Sequence, residues 1–537
     1  MTMPSLTPDS LRRAAAPIRR TQAPWARAPI TRPTRLQASR RADHTWAIGL
    51  ALLVLATFLI RARYLGNPLI DVDEQFYLLV GDRMLHGALP YVDIWDRKPI
   101  GTFLLYAAIR LLGGGGIVEY QLVASAFVAA TAVTIATIAR RISSPRAALV
   151  AGLAYVPALA MNGGAGGQTP VFYNLPMALA ALILIDLAMA RRDPATIRRR
   201  GMRAMLLVGV AMQIKYTALF EGLYFGLALL ALSWRAAPRR PGILADMLLW
   251  VAVALLPTLA ALAYYAAIGA LPAFFYANFV SIAERNPGAL SERMEDLRHI
   301  IVRITPFLAT IAAGEWLLRR DGAPWLRRRG GRDGHLFAIG WLAAALLGFA
   351  AFGTFYPHYA LPLLVPLAVA SAPCFTIVHR QIGRAMGTFV LAVLFIAYPL
   401  DAAKLERRHG DAADADALAG VIAAHMQGRC PYVFSGDPID YYLADACLPS
   451  RWPFPAHLSL AHEAKALGVD PIVETKRIMD GRPPVVVDRT GTGADANPVV
   501  DHLVRSRLVH DYRLIYARPN RDEPNEVDQV WALRRDG

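Results

Sequence analysis

Charge and cysteine are what this 537-residue sequence has least of. Charged residues make up 18% of it and hydrophobic ones 55%, with a positive mean hydropathy, which excludes a single soluble domain of ordinary usage. Only three cysteines occur. Cys374 falls in an apolar run, while Cys430 and Cys447 fall together late in the chain and either form one disulfide or remain two buried thiols. No fixed-period repeat is visible. The Gly113 to Gly116 run lacks the Lys-Ser/Thr of a phosphate loop and reads as a hinge between two apolar segments.

What is present is a series of long apolar runs, for example Thr45 to Ile60, Val118 to Ile138, Met247 to Ile268 and Leu336 to Phe352. Each approaches the roughly 20 residues that cross a bilayer, where only helices satisfy their own backbone. The fold class is therefore a polytopic α-helical membrane protein. About eleven spans are expected, starting near Thr45, Val118, Arg146, Val171, Met202, Thr217, Ile243, His299, Leu336, Tyr359 and Arg384.

Basic residues set the expected orientation. The first 400 residues hold 40 Lys+Arg against 20 Asp+Glu, and residues 401–537 hold 17 against 21. The excess sits before Thr45 and in short loops: Arg140 to Arg146, Arg191 to Arg203, Arg235 to Arg240, Arg319 to Arg332 and His379 to Arg384. The positive-inside rule makes these cytoplasmic. Nucleic-acid binding, the competing use of arginine runs, is set aside because the runs punctuate apolar spans at alternating ends. An odd span count leaves the amino terminus inside and the carboxyl terminus outside. Residues 1–44 read as a disordered basic cytoplasmic tail without a cleavable signal pattern, and 45–400 as the transmembrane domain. Residues 401–537 read as a soluble α/β domain of periplasmic type, with buried strands at Pro431 to Phe434 and Pro484 to Val487 and helices at Asp416 to His425 and Val499 to Arg505.

The loop over 61–117 carries the densest chemistry. Asp71-Val72-Asp73-Glu74 opens it, an amphipathic stretch follows from Gln75 to Leu85, and Asp93-Ile94-Trp95-Asp96-Arg97-Lys98-Pro99 precedes a second apolar stretch, Ile100 to Leu112, too short to span easily. Two interfacial helices bracketing a charged turn are expected on the membrane surface. At that depth a carboxylate can take the proton of an acceptor hydroxyl, and Lys98 or Arg97 can hold the phosphate leaving group of a lipid-linked donor. The plainer use of such charges is to cap helices and pair with one another.

The segments Val72-Asp73-Glu74-Gln75-Phe76-Tyr77, Gly81-Asp82-Arg83-Met84-Leu85-His86-Gly87 and Asp96-Arg97-Lys98-Pro99-Ile100 resemble the first outer loop of GT-C glycosyltransferases. The likeness is to glycosyltransferase family 39-type enzymes, the branch of protein O-mannosyltransferases and the bacterial lipid A aminoarabinose transferase. Tyr356-Pro357-His358-Tyr359-Ala360-Leu361-Pro362, entering a late span, is similar as well. The resemblance implies transfer of a hexosyl or pentosyl group from a polyprenyl-phosphate donor to an acceptor hydroxyl; the Arg-rich composition and single outer domain fit a bacterial inner membrane better than an endoplasmic reticulum. It implies Asp73 as the catalytic carboxylate, with Glu74 beside it and Asp71 as the fallback acid, and Lys98 at the donor phosphate with help from Arg97 or His358. The chain departs from aminoarabinose transferases at Phe76, where they carry a basic residue, and at Asn174, where they carry an acid, so their sugar specificity is not carried over.

His358 and Tyr359 either reach the donor phosphate or serve as an interfacial anchor. Gln168, Tyr173 and Asn174 are candidates for a sugar or acceptor pocket, and Thr169 lies with them. Lys215 and Glu221 are costly near lipid and so suggestive of function, unless they reach the interface. No cofactor is certain; Asp71, Asp73 and Glu74 offer oxygen ligands for a divalent metal ion. The partners expected are the lipid-linked donor, membrane lipids and a glycan, lipid or protein acceptor, with no nucleic acid. The rival classes are a lipid or sugar transporter, which would bury its charges near the midplane of a repeated fold, and an inactive scaffold.

Overall fold

The structure, a computed structural model, describes residues 35–238, 240–321, 330–376, 380–491, 495–523 and 525–534. Residues 1–34 of the expected basic tail lie outside the described residues. From Arg35 the chain is helical, and helix α1 (Arg35–Arg61) runs straight through the boundary expected at 44/45. Two compact units, Met1–Ile48 and Gly49–Gly537, divide within this helix; everything below concerns the second.

Ten described helices are long and apolar enough to cross a membrane. After α1 come two short helices, α2 (Val72–Leu85) and α3 (Ile100–Arg110), and then α4 (Ile117–Ile142), α5 (Pro145–Leu159), α6 (Thr169–Ala188), α7 (Pro194–Met212), α8 (Ala218–Ala236) and α9 (Ile243–Ala267). The span expected from near Met202 is α7. Arg198, Arg199, Arg200 and Arg203 in its first half keep it from the apolarity of the ten, although it packs against α6, α8 and α9. The spans separate into an inner and an outer set. Pro145–Gly164 and Pro357–Thr376 have 78% and 83% of their most apolar window buried, against 17% and 22% in Asp43–Tyr64 and Ile243–Ala267. The outer helices present Leu59, Leu248, Leu256 and Leu259 outward, as a lipid solvent permits and water does not.

The first loop folds differently from the pair of surface helices expected. Helix α3 is apolar and too short to cross, but α2 has no free face: Phe76, Tyr77, Leu78 and Leu79 are all inaccessible. It packs on α3 along one side and on helix Ile439–Leu443 along another, with Phe454 against Phe76. Gly81 permits the close approach to α3, since a Cβ there would lie 2.7 Å from the Ala107 nitrogen. The turn into α4 uses Gly113, Gly114 and Gly116 at φ of 88°, 68° and 81°, conformations that glycine adopts without steric cost.

Late in the chain, helix Arg380–His409 continues past the boundary expected at 400/401. Beyond it stands a four-stranded sheet of order β1-β2-β4-β3. Strand β1 (Tyr432–Val433) pairs parallel with β2 (Val485–Arg489), whose Val486 faces Trp531 of antiparallel β4 (Val527–Leu533); β3 (Tyr512–Pro519) completes the edge. Val485, Val486 and Val487 are buried, as their unbroken apolar run requires. Helices Ala412–His425 and Pro498–Asp511 flank the sheet close to where the pattern put them. Cys430 and Cys447 are disulfide-bonded, and Cys374 is a buried free thiol.

Candidate active site

A cavity of about 700 Å³ brings the first loop, the α7–α8 junction, the late-span motif and the sheet-bearing region together. Asp71 and Asp73 enter it because Asp71 caps α2: its Oδ1 accepts from the Asp73 amide at 2.9 Å, and the two acids sit at the positive end of the helix dipole. Consecutive helical residues point about 100° apart, so Asp73 and Glu74 cannot share a target. Asp73 faces the cavity. Glu74 turns into the protein, accepting from Tyr120 Oη at 3.0 Å and from the Gly167 amide.

Arg61 clasps the same glycine turn, donating to the Gly164 and Gly166 carbonyls at 2.8 Å each. Glu74 therefore belongs to a buried clamp on the α5–α6 turn, turned away from the cavity that Asp73 faces. Burial, with Asp71 nearby, pushes its carboxyl up to about 8.

Lys98 Nζ lies 3.2 Å from Asp73 Oδ2 and donates to Tyr77 Oη at 2.5 Å. Asp96 Oδ1 fixes the loop by accepting from the Lys98 amide at 2.8 Å. Gln168, at the N-cap of α6, spans the two carboxylates, with Nε2 2.8 Å from Asp71 Oδ1 and 2.9 Å from Asp73 Oδ2. Burial opposes ionisation of Asp73, but Lys98 and the Gln168 amide outweigh it and hold the carboxyl below its usual range. Asp71 has no such counter-charge in contact. Burial first, and the Asp73 charge second, push it up to about 7.

Three more basic groups border the cavity: Lys215, Arg285 and His358. Lys215 Nζ stands 3.9 Å from the centre of the Tyr359 ring, a cation–π contact in a buried setting. His358 packs edge-on to Tyr359 and stacks with Tyr356. The late-span motif thus stands in the cavity rather than serving only as an anchor. Met212, Leu219, Phe220, Leu255 and Phe352 give the cavity an apolar side.

The opposite wall comes from the sheet-bearing region: Phe454, His457, Leu460, His462 and Glu463. Glu463 accepts from Arg97 on both oxygens, at 3.0 and 2.6 Å, and pairs with Arg285 at 2.8 Å and with His462 at 3.1 Å. Arg97, expected beside Lys98 on a phosphate, is instead committed to this contact. Arg285 and the 454–463 wall were not singled out from the sequence; the available signal was the clustering of His457, His462 and Glu463 in a segment without a strand or helix pattern.

The expected sugar pocket divides. Gln168 positions the carboxylates; Tyr173 borders a small neighbouring cavity with Lys215 and Glu221, 3.3 Å from Thr217 Oγ1; and Asn174 is buried away from the site, donating to Tyr155 Oη at 3.1 Å and the Leu361 carbonyl at 3.2 Å. The donor set does not suit a metal. An amide N–H group stands between Asp71 and Asp73, an ammonium covers Asp73, and Glu74 faces elsewhere; among the described residues no group of three or more His, Cys, Asp or Glu side chains could hold an ion.

No protein-family model and no curated protein matches the sequence. Among solved structures, ArnT from Cupriavidus metallidurans bound to undecaprenyl phosphate matches with a TM-score of 0.56 at 16% identity, covering 90% of this chain and 97% of that one. The apo form of the same protein gives 0.58 at 16% identity, covering 91% and 98%. The oligosaccharyltransferase of Archaeoglobus fulgidus in its apo form gives 0.51 at 11% identity, covering 87% and 73%. At such identities the likeness is one of fold: the many-helix arrangement, joined to a small C-terminal sheet region, is shared with these structures.

Proposed function

We propose that the chain is a membrane glycosyltransferase that moves a sugar from a polyprenyl-phosphate donor to an acceptor hydroxyl on the outer face of a bacterial inner membrane. The reading rests on one observation: the cavity holding the Asp73–Lys98 pair at 3.2 Å also has a long apolar side. A lipid phosphate has those two halves. ArnT, of the same fold, was solved with undecaprenyl phosphate bound.

In this mechanism the prenyl chain lies along Met212, Leu219, Phe220 and Leu255, and the phosphate meets Lys98, with Lys215, Arg285 and His358 around it. The resting ion pair keeps Asp73 a weak base. A phosphate that draws Lys98 away removes the counter-charge and raises the basicity of Asp73 when donor is present. The acceptor hydroxyl then gives its proton to Asp73 as its oxygen attacks the anomeric carbon. The bond from that carbon to the phosphate oxygen breaks, and polyprenyl phosphate leaves with the electron pair, its charge met by Lys98. A single displacement of this kind inverts the anomeric configuration. With α7 counted as a crossing, the basic loops support a cytoplasmic amino terminus, and with it a periplasmic side for the cavity and residues 401–537.

The test is transfer from a panel of radiolabelled polyprenyl-phosphate sugars in membranes carrying wild type, Asp73→Asn or Lys98→Ala. Transfer by wild type alone, with the variants still folded, supports the reading and names the sugar. Undiminished transfer by Asp73→Asn removes Asp73 from the chemistry, and absence of transfer from every donor leaves a transporter as the reading to test.

A further inference from the structure

A second cavity, of about 630 Å³, lies beyond Leu460, a residue that borders both spaces. Its character is opposite to that of the first. Arg489 is held between Asp437 at 2.5 Å and Asp528 at 2.6 Å, and Arg518 between Asp414 at 2.9 Å and Asp528 at 2.6 Å, while the buried Arg518 Nε has no partner. Fixed guanidinium and carboxylate groups in alternation suit hydroxyls, each of which both donates and accepts. At the rim Arg407 and Arg408, from the end of helix Arg380–His409, pair with the partly exposed loop acids Asp522 and Glu523 at 3.1 Å each. Neither acid borders the cavity, and exposed pairs of this kind exchange easily for another anion. The cavity is also tied to the reaction centre: Gln75, two residues along α2 from Asp73, donates to Asp437 Oδ1 at 3.4 Å.

We infer that this second cavity binds the acceptor, and that the acceptor is a carbohydrate bearing a phosphate or carboxylate, its hydroxyls among Arg489, Arg518 and their acids and its anionic group on Arg407 and Arg408. The inference rests on the transferase reading for the word acceptor, but the pocket itself can be tested without turnover. In full-length Lys98→Ala protein, which lacks the donor-phosphate ammonium, glucose 6-phosphate and glucuronate should bind and glucose should bind about tenfold more weakly. Arg407→Ala with Arg408→Ala should lose that preference, and the corresponding double Lys variant should keep it. Phosphatidylinositol in nanodiscs that binds where the soluble probes do not assigns a lipid-borne acceptor; binding of the soluble probes assigns a free glycan. No binding by any of these, or binding untouched by the Ala pair, overturns the pocket. In transfer assays the Ala pair should raise acceptor KM about tenfold and leave donor KM unchanged. Anion binding that persists in a protein transferring no sugar keeps the pocket and discards the transferase.

Discussion

The two walls of the main cavity use the same residue types to opposite ends. On the α2 wall, Asp73 and Lys98 make one ion pair and keep 19% of each side chain open, so lone pairs and N–H groups remain for a substrate. On the sheet-side wall, Glu463 is almost closed off and meets Arg97, Arg285 and His462. Burial opposes its ionisation, yet His462 and Arg97 prevail and hold its carboxyl far below the ordinary range. A carboxylate so saturated cannot collect a proton, but it can latch two segments distant in sequence. Free valence, rather than charge or burial, separates the proposed reactive wall from the structural one.

The strongest test of that contrast is to remove one carboxylate from each wall. Asp73→Asn should lower kcat for transfer by about 10²- to 10⁴-fold, the usual range for a general base, with no fall in the thermal midpoint of the purified protein. Lys98→Ala should lower turnover by about 10²-fold, as loss of one charge-stabilising donor does, and raise donor KM as well. Glu463→Ala should act through stability: stranding Arg97 and Arg285 costs about 3–5 kcal/mol, read as a lower thermal midpoint, with transfer falling only as the wall loosens. A Glu463→Ala protein as stable as wild type, but inactive, would erase the distinction between the walls.

A finer contrast lies within the α2 wall. Burial and the Asp73 charge push the Asp71 carboxyl up to about 7, whereas Lys98 holds that of Asp73 below its usual range. As pH rises through about 7 the cavity gains a second negative charge, which opposes binding of an anionic donor whose phosphodiester does not itself titrate there. By linkage, a donor that shifts Asp71 by about one unit loses about tenfold in affinity across the transition. Donor KM should therefore rise up to that factor between about pH 6 and about pH 8 in wild type and stay flat in Asp71→Asn. A flat wild-type profile would show that Asp71 does not titrate in contact with the donor.

What the sequence disclosed, and what it withheld, follows the same physics. Apolar runs reveal spans because the bilayer demands length, and Val485 to Val487 reveal a central strand because both faces are buried. Asp73 and Lys98 were legible because adjacent charges are costly beside apolar helices and their loop resembles a known one. Arg285 and Glu463 were not, since their meaning lies in a contact between residues 178 positions apart, which no local pattern carries. The exposure expected of α2 failed for a related reason: its polar first turn suggested an interface, but the cover comes from Ile439–Leu443 and Phe454.

The smallest effect is expected at the residue next to the proposed base. Glu74 stands beside Asp73 in sequence, and from charge alone the two are equivalent. The helix sends Glu74 to Tyr120 and Gly167 instead, and with its carboxyl pushed up to about 8 it is mostly protonated at neutral pH. An amide carries the same neutral charge, and its oxygen can accept from the Gly167 amide while its nitrogen donates to Tyr120 Oη, a hydroxyl that can accept as well as donate. Glu74→Gln should therefore keep transfer within about fivefold of wild type, the scale of one perturbed hydrogen bond, while Glu74→Ala, which strands the Gly167 amide, should lower the thermal midpoint. Transfer rates for the two Gln and Asn neighbours, measured side by side, decide the point: a loss at Glu74→Gln as deep as that at Asp73→Asn would mean that both acids serve the reaction, and that rotation along α2 does not divide their roles.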